Sequence, residues 1–253
     1  MEITFLGTGT SHGVPIIGCS CSTCLSNNPK NKRYRSSIYI ELDTSSLLID
    51  TAPELRLQLI RNNITTIDAV LFTHTHADHL MGFDDLTGIN RLQKKAIPCY
   101  GNQRAIKEIK RVFSYIFNPF QIGGGIPEVT LHQVSGNFEI KNSTIVPIPI
   151  KHGKLDILGY RIANMAYLTD CSFISAESYR LLEGIDLLII DALRYEPHST
   201  HMNIDQALEV VNKLEVPQTY FTHLSHRLEH ESVNKDLPNN VQLAYDGLKI
   251  SII

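Results

Sequence analysis

Thr73-His74-Thr75-His76-Ala77-Asp78-His79 follows the apolar run 68–72, and the reading of this stretch decides the fold. A sheet protein builds its sites where a buried strand opens into a loop. In extended backbone, positions i and i+2 point the same way, so His74 and His76 can hold one metal together. The turn that follows delivers Asp78 and His79 to a neighbouring ion. Imidazole nitrogen with carboxylate oxygen suits zinc, manganese or iron. A lone histidine is more often a core or surface residue, but a polar loop does not explain three histidines and an aspartate within six positions.

A site for two ions needs ligands from elsewhere in the chain. His152 follows the run 144–150, Asp170 follows 166–168 and His223 follows 219–221, each just past a strand-like stretch. Asp170 is the natural bridge, because a carboxylate has two oxygens to share. A second cluster, Cys19-Ser20-Cys21-Ser22-Thr23-Cys24, offers three soft thiolates in one turn-rich loop, the ligand type of a closed structural zinc site, and it still requires a fourth ligand. Cys99 and Cys171 have no such company and are expected to be buried.

Outward from these motifs, strand-like runs cover 3–6, 37–42, 47–49, 69–72, 144–150, 158–162, 166–168, 187–190, 219–221 and 248–252. Several are continuously apolar, as strands buried on both faces are. Helical periodicity covers 53–62, with Leu55, Leu59 and Ile60 on one side. It recurs over 102–117, with Ile106, Ile109, Val112, Phe113 and Ile116. A third helix starts at Asn203, an N-cap with Gln206 three residues on, and carries Ile204, Ala207, Leu208 and Val211 as its buried stripe. Such an order fits an α/β sandwich of two sheets with helices outside. No repeat or linker divides the chain, so one domain over 1–253 is expected.

The chain has 253 residues, 43% hydrophobic and 19% charged, with 15 glycines and 11 prolines, enough apolar material for a substantial core. A formal net charge of −3 gives no pull toward a polyanion, which counts against extended nucleic-acid binding and leaves room for a small anionic substrate. The amino terminus lacks a basic, long-apolar leader and no run is long enough for a membrane span, so a cytoplasmic protein is expected. In that reducing compartment the five cysteines suggest ligation sooner than disulfides.

Taken together, His74-x-His76-x-Asp78-His79 with His152, Asp170 and His223 resembles the metallo-β-lactamase superfamily, which implies an αββα sandwich with two metals at one edge. Within it, Gly13-Val14-Pro15, Gly18 to Cys24, Leu48-Ile49-Asp50, Tyr167-Leu168-Thr169-Asp170, Thr222-His223-Leu224-Ser225-His226 and Tyr245-Asp246-Gly247 look like the phosphoribosyl cyclic phosphate phosphodiesterases of the carbon-phosphorus lyase pathway. This resemblance implies hydrolysis of 5-phosphoribosyl 1,2-cyclic phosphate, a manganese site, a separate structural zinc with His226 as its fourth ligand, and a homodimer. The segment 193–198 departs from that family's pattern where it borders the substrate.

The mechanism expected on this basis uses two divalent metals, manganese or zinc, that bridge a hydroxide and place it in line with phosphorus. Asp78 serves the chemistry as well as ligation, and His201 protonates the departing sugar oxygen. His201 also precedes a helix N-terminus, which favours a nearby anion. His12, His132 and His230 show no partner pattern, and Lys30-Asn31-Lys32-Arg33 reads as a solvated basic turn. Competing readings are an RNA-processing nuclease resembling the tRNA 3′-end endonucleases, a glyoxalase- or lactonase-like hydrolase, and a non-catalytic metal-binding protein.

Overall fold

The computed structural model describes residues 1–118 and 125–252. Strands β1 (Glu2–Gly7), β2 (Ser37–Glu41), β3 (Ser46–Ile49), β4 (Ala69–Leu71), β5 (Ile97–Gly101) and β6 (Val129–Gln133) belong to the first sheet. The second contains β7 (Phe138–Ile140), β8 (Ser143–His152), β9 (Leu155–Ile162), β10 (Met165–Leu168), β11 (Phe173–Ile174), β12 (Leu187–Asp191), β13 (Gln218–Thr222) and β14 (Val241–Leu243). A last strand, β15 (Lys249–Ser251), returns to pair with β1. The strand orders are β15-β1-β2-β3-β4-β5-β6 and β11-β8-β9-β10-β12-β13-β14, with β7 alongside β8. In both sheets an antiparallel meander gives way to parallel strands, at β3–β4 in the first and β10–β12 in the second.

Alternation along the strands explains the layers. Leu47 and Ile49 of β3 face Tyr160, Tyr167 and Ile189 of the other sheet, whereas Leu48 between them packs with Leu55 and Leu59 of the helix Leu55–Arg61. On the far side, Leu168, Leu188 and Ile190 meet Ala207, Val210 and Val211 of the helix Ile204–Leu214. Apolar residues at successive positions are therefore all buried, one set between the sheets and one under helices, which is why the runs are continuous. The architecture is the expected αββα sandwich.

The Asn203 helix starts with a full capping box: Gln206 N–H donates to Asn203 Oδ1 at 2.9 Å and Gln206 Oε1 accepts from Asn203 N at 3.1 Å. Several local expectations are corrected. Ile60 is 61% exposed, because the register of Leu55–Arg61 turns it away from the sheet. The periodic stretch 102–117 is two helices, Gln103–Val112 and Ser114–Phe117, broken at Phe113, whose non-helical backbone lets its ring enter the core beside Phe83. Arg33 is buried and not solvated, because its guanidinium donates to the carbonyls of Ser225 and Leu228. No helix among the described residues is long and apolar enough to cross a membrane.

At the end remote from the ligand-bearing loops, Asp68 stitches the sheets together. Its carboxylate accepts from Lys95 Nζ and from Lys141 Nζ, both at 2.8 Å, and Lys141 comes from the β7–β8 turn of the opposite sheet. Burial alone would raise this carboxyl, but Lys141, Lys95 and the Ser46 amide hold it down to about 2. A folded value below the unfolded one means stabilisation that is present above about pH 4 and lost as pH falls toward 2. Asp68→Asn is therefore expected to lower stability by about 1 kcal/mol at pH 7, discounted for the half-exposed lysines. The difference should shrink at pH 3; urea unfolding at both values checks it.

Candidate metal centre

Each ligand-bearing loop leaves the carboxyl end of a strand. The segment after β4 carries His74 and His76 in extended backbone, then a single helical turn, Ala77–Leu80, that presents Asp78 and His79. β8 ends on His152, while Asp170 lies just past β10 and His223 just past β13. Ligand sites in open α/β sheets favour this edge. Asp50, Asp170 and His223 adopt left-handed backbone, with φ of 62°, 55° and 57°, a conformation that non-glycine residues hold only when the surroundings enforce it.

The structure gathers the seven predicted residues into two adjoining nests. His74, His76, His152 and Asp170 form one; Asp78, His79, His223 and Asp170 form the other, with ligand atoms in each group within 4.8 Å of one another. Asp170 belongs to both through different oxygens. Its Oδ1 lies 3.0 Å from His79 Nε2 and 3.4 Å from His223 Nε2, and its Oδ2 lies 3.9 Å from His74 Nε2 and from His152 Nε2. All but His76 are buried.

The donor set fits cations. His74, His79 and His223 each have a buried Nε2 without a hydrogen-bond partner among the described residues, an arrangement that is costly unless something else is bound there. Burial opposes charge on His79, yet Asp170, Asp78 and Asp50 around it raise it well above 6.5. A divalent ion between the same carboxylates would supply that positive charge instead and leave the imidazole neutral.

Behind the nests, a shell of hydrogen bonds fixes the rings. Asp50 Oδ2 accepts from His79 Nδ1 at 2.7 Å and from Thr73 Oγ1 at 2.7 Å, while its Oδ1 accepts from the Thr73 amide at 2.8 Å. His152 Nδ1 donates to Thr200 O at 2.8 Å. Both contacts leave Nε2 for the nest, the arrangement by which carboxylates and carbonyls orient metal-binding histidines. Asp191, at the end of β12, places Oδ2 2.8 Å from His201 Nδ1 and Oδ1 3.8 Å from His223 Nδ1. The His201 ring stacks on His223 at 4.7 Å and meets His152 edge-on at 4.6 Å. Burial keeps His201 below the usual histidine range.

Asp50 and Asp191 were not among the predicted site residues. Their signal was the one that found Asp170, a carboxylate closing a buried apolar strand. Their place one step behind the ligands is a matter of tertiary packing.

The cysteine cluster lies beside this centre. His226 Nδ1 is 3.3 Å from Cys19 Sγ, 3.4 Å from Cys21 Sγ and 3.7 Å from Cys24 Sγ. Cys21 caps the turn Ser22–Leu25, and the Cys24 amide donating to its sulfur leads the contacts that pull it down to about 6, whereas burial pushes Cys24 up to about 11. No described cysteine is in a disulfide. Cys99 and Cys171 are buried, as expected.

Arg33 joins this cluster to the His223 loop. Its Nη1 donates to Ser225 O at 2.9 Å and its Nη2 to Leu228 O at 2.7 Å. The guanidinium can be buried because its fork finds carbonyls in register. The thiolate loop and the loop bearing a ligand are thus one unit. Cys21→Ser is expected to lose about one equivalent of bound metal, measured by elemental analysis, and to loosen amide protection over 223–228.

Residues 45–224 match the family described as the beta-lactamase superfamily domain. The chain belongs to the metallo-β-lactamase superfamily. Within this superfamily, the crystal structure of a new diphosphatase from the PhnP family superposes with a TM-score of 0.93 at 41% identity, over 100% of this chain and 98% of that one. Zinc-bound PqqB from Methylobacterium extorquens and the short form of human tRNase Z give TM-scores of 0.77 and 0.76, each at 19% identity over 100% of both chains, and share the fold. An octanoyltransferase of Porphyromonas gingivalis is 38% identical over 259 residues, covering 100% of this chain and 52% of that protein. The chain thus spans about half the length of the curated relative it matches.

Proposed function

We propose that this superfamily member is a metal-dependent phosphodiesterase acting on a small cyclic phosphodiester, such as 5-phosphoribosyl 1,2-cyclic phosphate. The observation that carries the reading is His201, held by Asp191 at 2.8 Å beside two nests that share one carboxylate. A phosphodiester needs both features: charge neutralisation at phosphorus and a proton for the leaving alkoxide. The likeness to a PhnP-family diphosphatase supports the same chemistry.

His74, His76, His152 and Asp170 would hold one manganese or zinc ion, and Asp78, His79, His223 and Asp170 the other; Cys19, Cys21, Cys24 and His226 would hold a structural zinc. When bound, the paired ions supply an acidified water as nucleophile and neutralise the phosphoryl oxygens. The chain's own part is orientation and proton transfer. Asp50 and Thr200 fix ring tautomers, Asp191 holds His201 through Nδ1 and leaves its Nε2 for the substrate, and His201 in its protonated form delivers the proton to the leaving oxygen.

Octanoyl transfer is named for a protein about twice this length, and we assign it to the part that this chain does not match. We also read the chain as a cytoplasmic homodimer. The exposed Ile60 and Leu92 of neighbouring helices, 61% and 64% accessible, support a second copy as their cover.

Turnover of bis-p-nitrophenyl phosphate with added manganese or zinc tests the reaction class. Absence of metal-dependent hydrolysis would overturn it in favour of a binding role. A panel of ribose cyclic phosphate, 2′,3′-cyclic nucleotides and precursor tRNA then separates the substrate classes.

A further inference from the structure

The segment between β12 and the Asn203 helix carries one imidazole that the mechanism above does not use. Its base is fastened: Leu193 N donates to Met202 O at 2.9 Å, Ile204 N to Arg194 O at 3.0 Å, and Asn203 Nδ2 to Tyr195 O at 2.9 Å. Arg194 braces the turn from within, its Nε on Glu196 O at 3.2 Å and its Nη2 on Pro197 O at 3.0 Å. His198 stands on this braced turn, half-buried, with its ring 5.1 Å from that of His201.

The tautomer of His198 follows from its partner. The Thr200 amide lies 3.3 Å from His198 Nδ1, and the Thr200 hydroxyl lies 3.2 Å from the same atom. An amide nitrogen can only donate, so Nδ1 accepts and the ring proton of the neutral imidazole sits on Nε2. Thr200 sets His152 the opposite way, because its carbonyl accepts from His152 Nδ1 at 2.8 Å. One residue thus prepares a lone pair for the metal nest and an N–H donor beside it. His198 Nε2 has no hydrogen-bond partner among the described residues. The rings of His223, His201 and His198 follow one another from the nest outward, at 4.7 Å and 5.1 Å.

We propose that His198 is a substrate-binding residue whose Nε2–H donates to a non-bridging phosphoryl oxygen of the diester held over the two nests. The ligand class is a phosphoryl anion, whose oxygens are acceptors only. The assignment rests on the phosphodiesterase reading for its substrate, while its geometry requires only that a phosphoryl group occupies the cleft.

The test uses the zinc-loaded protein with two probes, bis-p-nitrophenyl phosphate in steady state and inorganic phosphate by calorimetric titration. H198A is expected to raise KM and the phosphate Kd about tenfold, the scale of one hydrogen bond to a charged oxygen, with kcat within about twofold and metal content unchanged. H198Q, whose side-chain amide can place an N–H near the lost Nε2, should recover most of both. An H198A protein that keeps its metals and binds both probes like the wild type overturns the assignment, as does a wild-type protein that binds no phosphate. If the wild type binds phosphate but hydrolyses no diester, the phosphodiesterase reading fails, and the phosphate titration of H198A still decides the role of His198.

Discussion

Asp170→Asn is expected to abolish turnover, by about 10³-fold or more, and to reduce bound active-site metal, because this residue alone belongs to both nests. Its two oxygens face different histidine pairs at 3.0 to 3.9 Å. An amide keeps one oxygen for one ion and turns a nitrogen toward the other, so the pair cannot be held symmetrically. The variant also leaves His79 and His223 with one fewer negative neighbour, which weakens the hold on any cation there. Metal stoichiometry by elemental analysis, read beside the rate, separates this outcome from misfolding, since any metal held by the Cys19, Cys21, Cys24 and His226 cluster should remain. Full activity with two active-site metals would exclude the bridging role.

His201→Ala should behave in the opposite way: metals retained, rate reduced by about 10² to 10⁴, as for loss of a general acid. His201 contacts the nests through ring stacking and points its Nδ1 at Asp191, so its removal takes no ligand atom from either group that shares Asp170. The loss should be smaller for a substrate whose leaving group needs no proton, and p-nitrophenolate is such a group. Comparing an alkyl and a p-nitrophenyl diester therefore isolates the acid role. Asp191→Asn should reproduce part of this selective loss, because the Asp191 carboxylate holds His201 Nδ1 at 2.8 Å, whereas an amide can pair with either tautomer of the ring and no longer fixes which nitrogen carries the proton. Equal losses for both substrates would reassign His201 to binding.

How much of this was legible in the sequence depends on whether the signal is local. His74, His76, Asp78 and His79 are dense enough to read directly, and the continuous apolar strands gave the sandwich. His152, Asp170 and His223 could be found because each follows such a strand. Strands β5, β6, β7, β11 and β14 were missed: β6, β7 and β11 are exposed and mixed in composition, β14 is a short run with Gln242 at its centre, and β5 is interrupted by Pro98. Arg33 was misread because its neighbours Lys30, Asn31 and Lys32 do look like a solvated turn. Only the carbonyls of Ser225 and Leu228, nearly 200 residues away in the chain, explain its burial. The tautomers set by Thr200 were likewise invisible, since a backbone amide and a backbone carbonyl do the work and neither depends on residue type.

The left-handed backbone at Asp50, Asp170 and His223 has an outcome for anyone who engineers this protein. Each such position costs of order 1 kcal/mol relative to glycine or a relaxed loop, against a total stability of only about 5 to 15 kcal/mol for a typical domain. Screening variants for heat resistance in the presence of a chelator should therefore enrich substitutions at these three places, and every winner there would be an inactive protein. Thermostabilisation by directed evolution has to be run with metal present, or it will trade the metal centre for backbone relief.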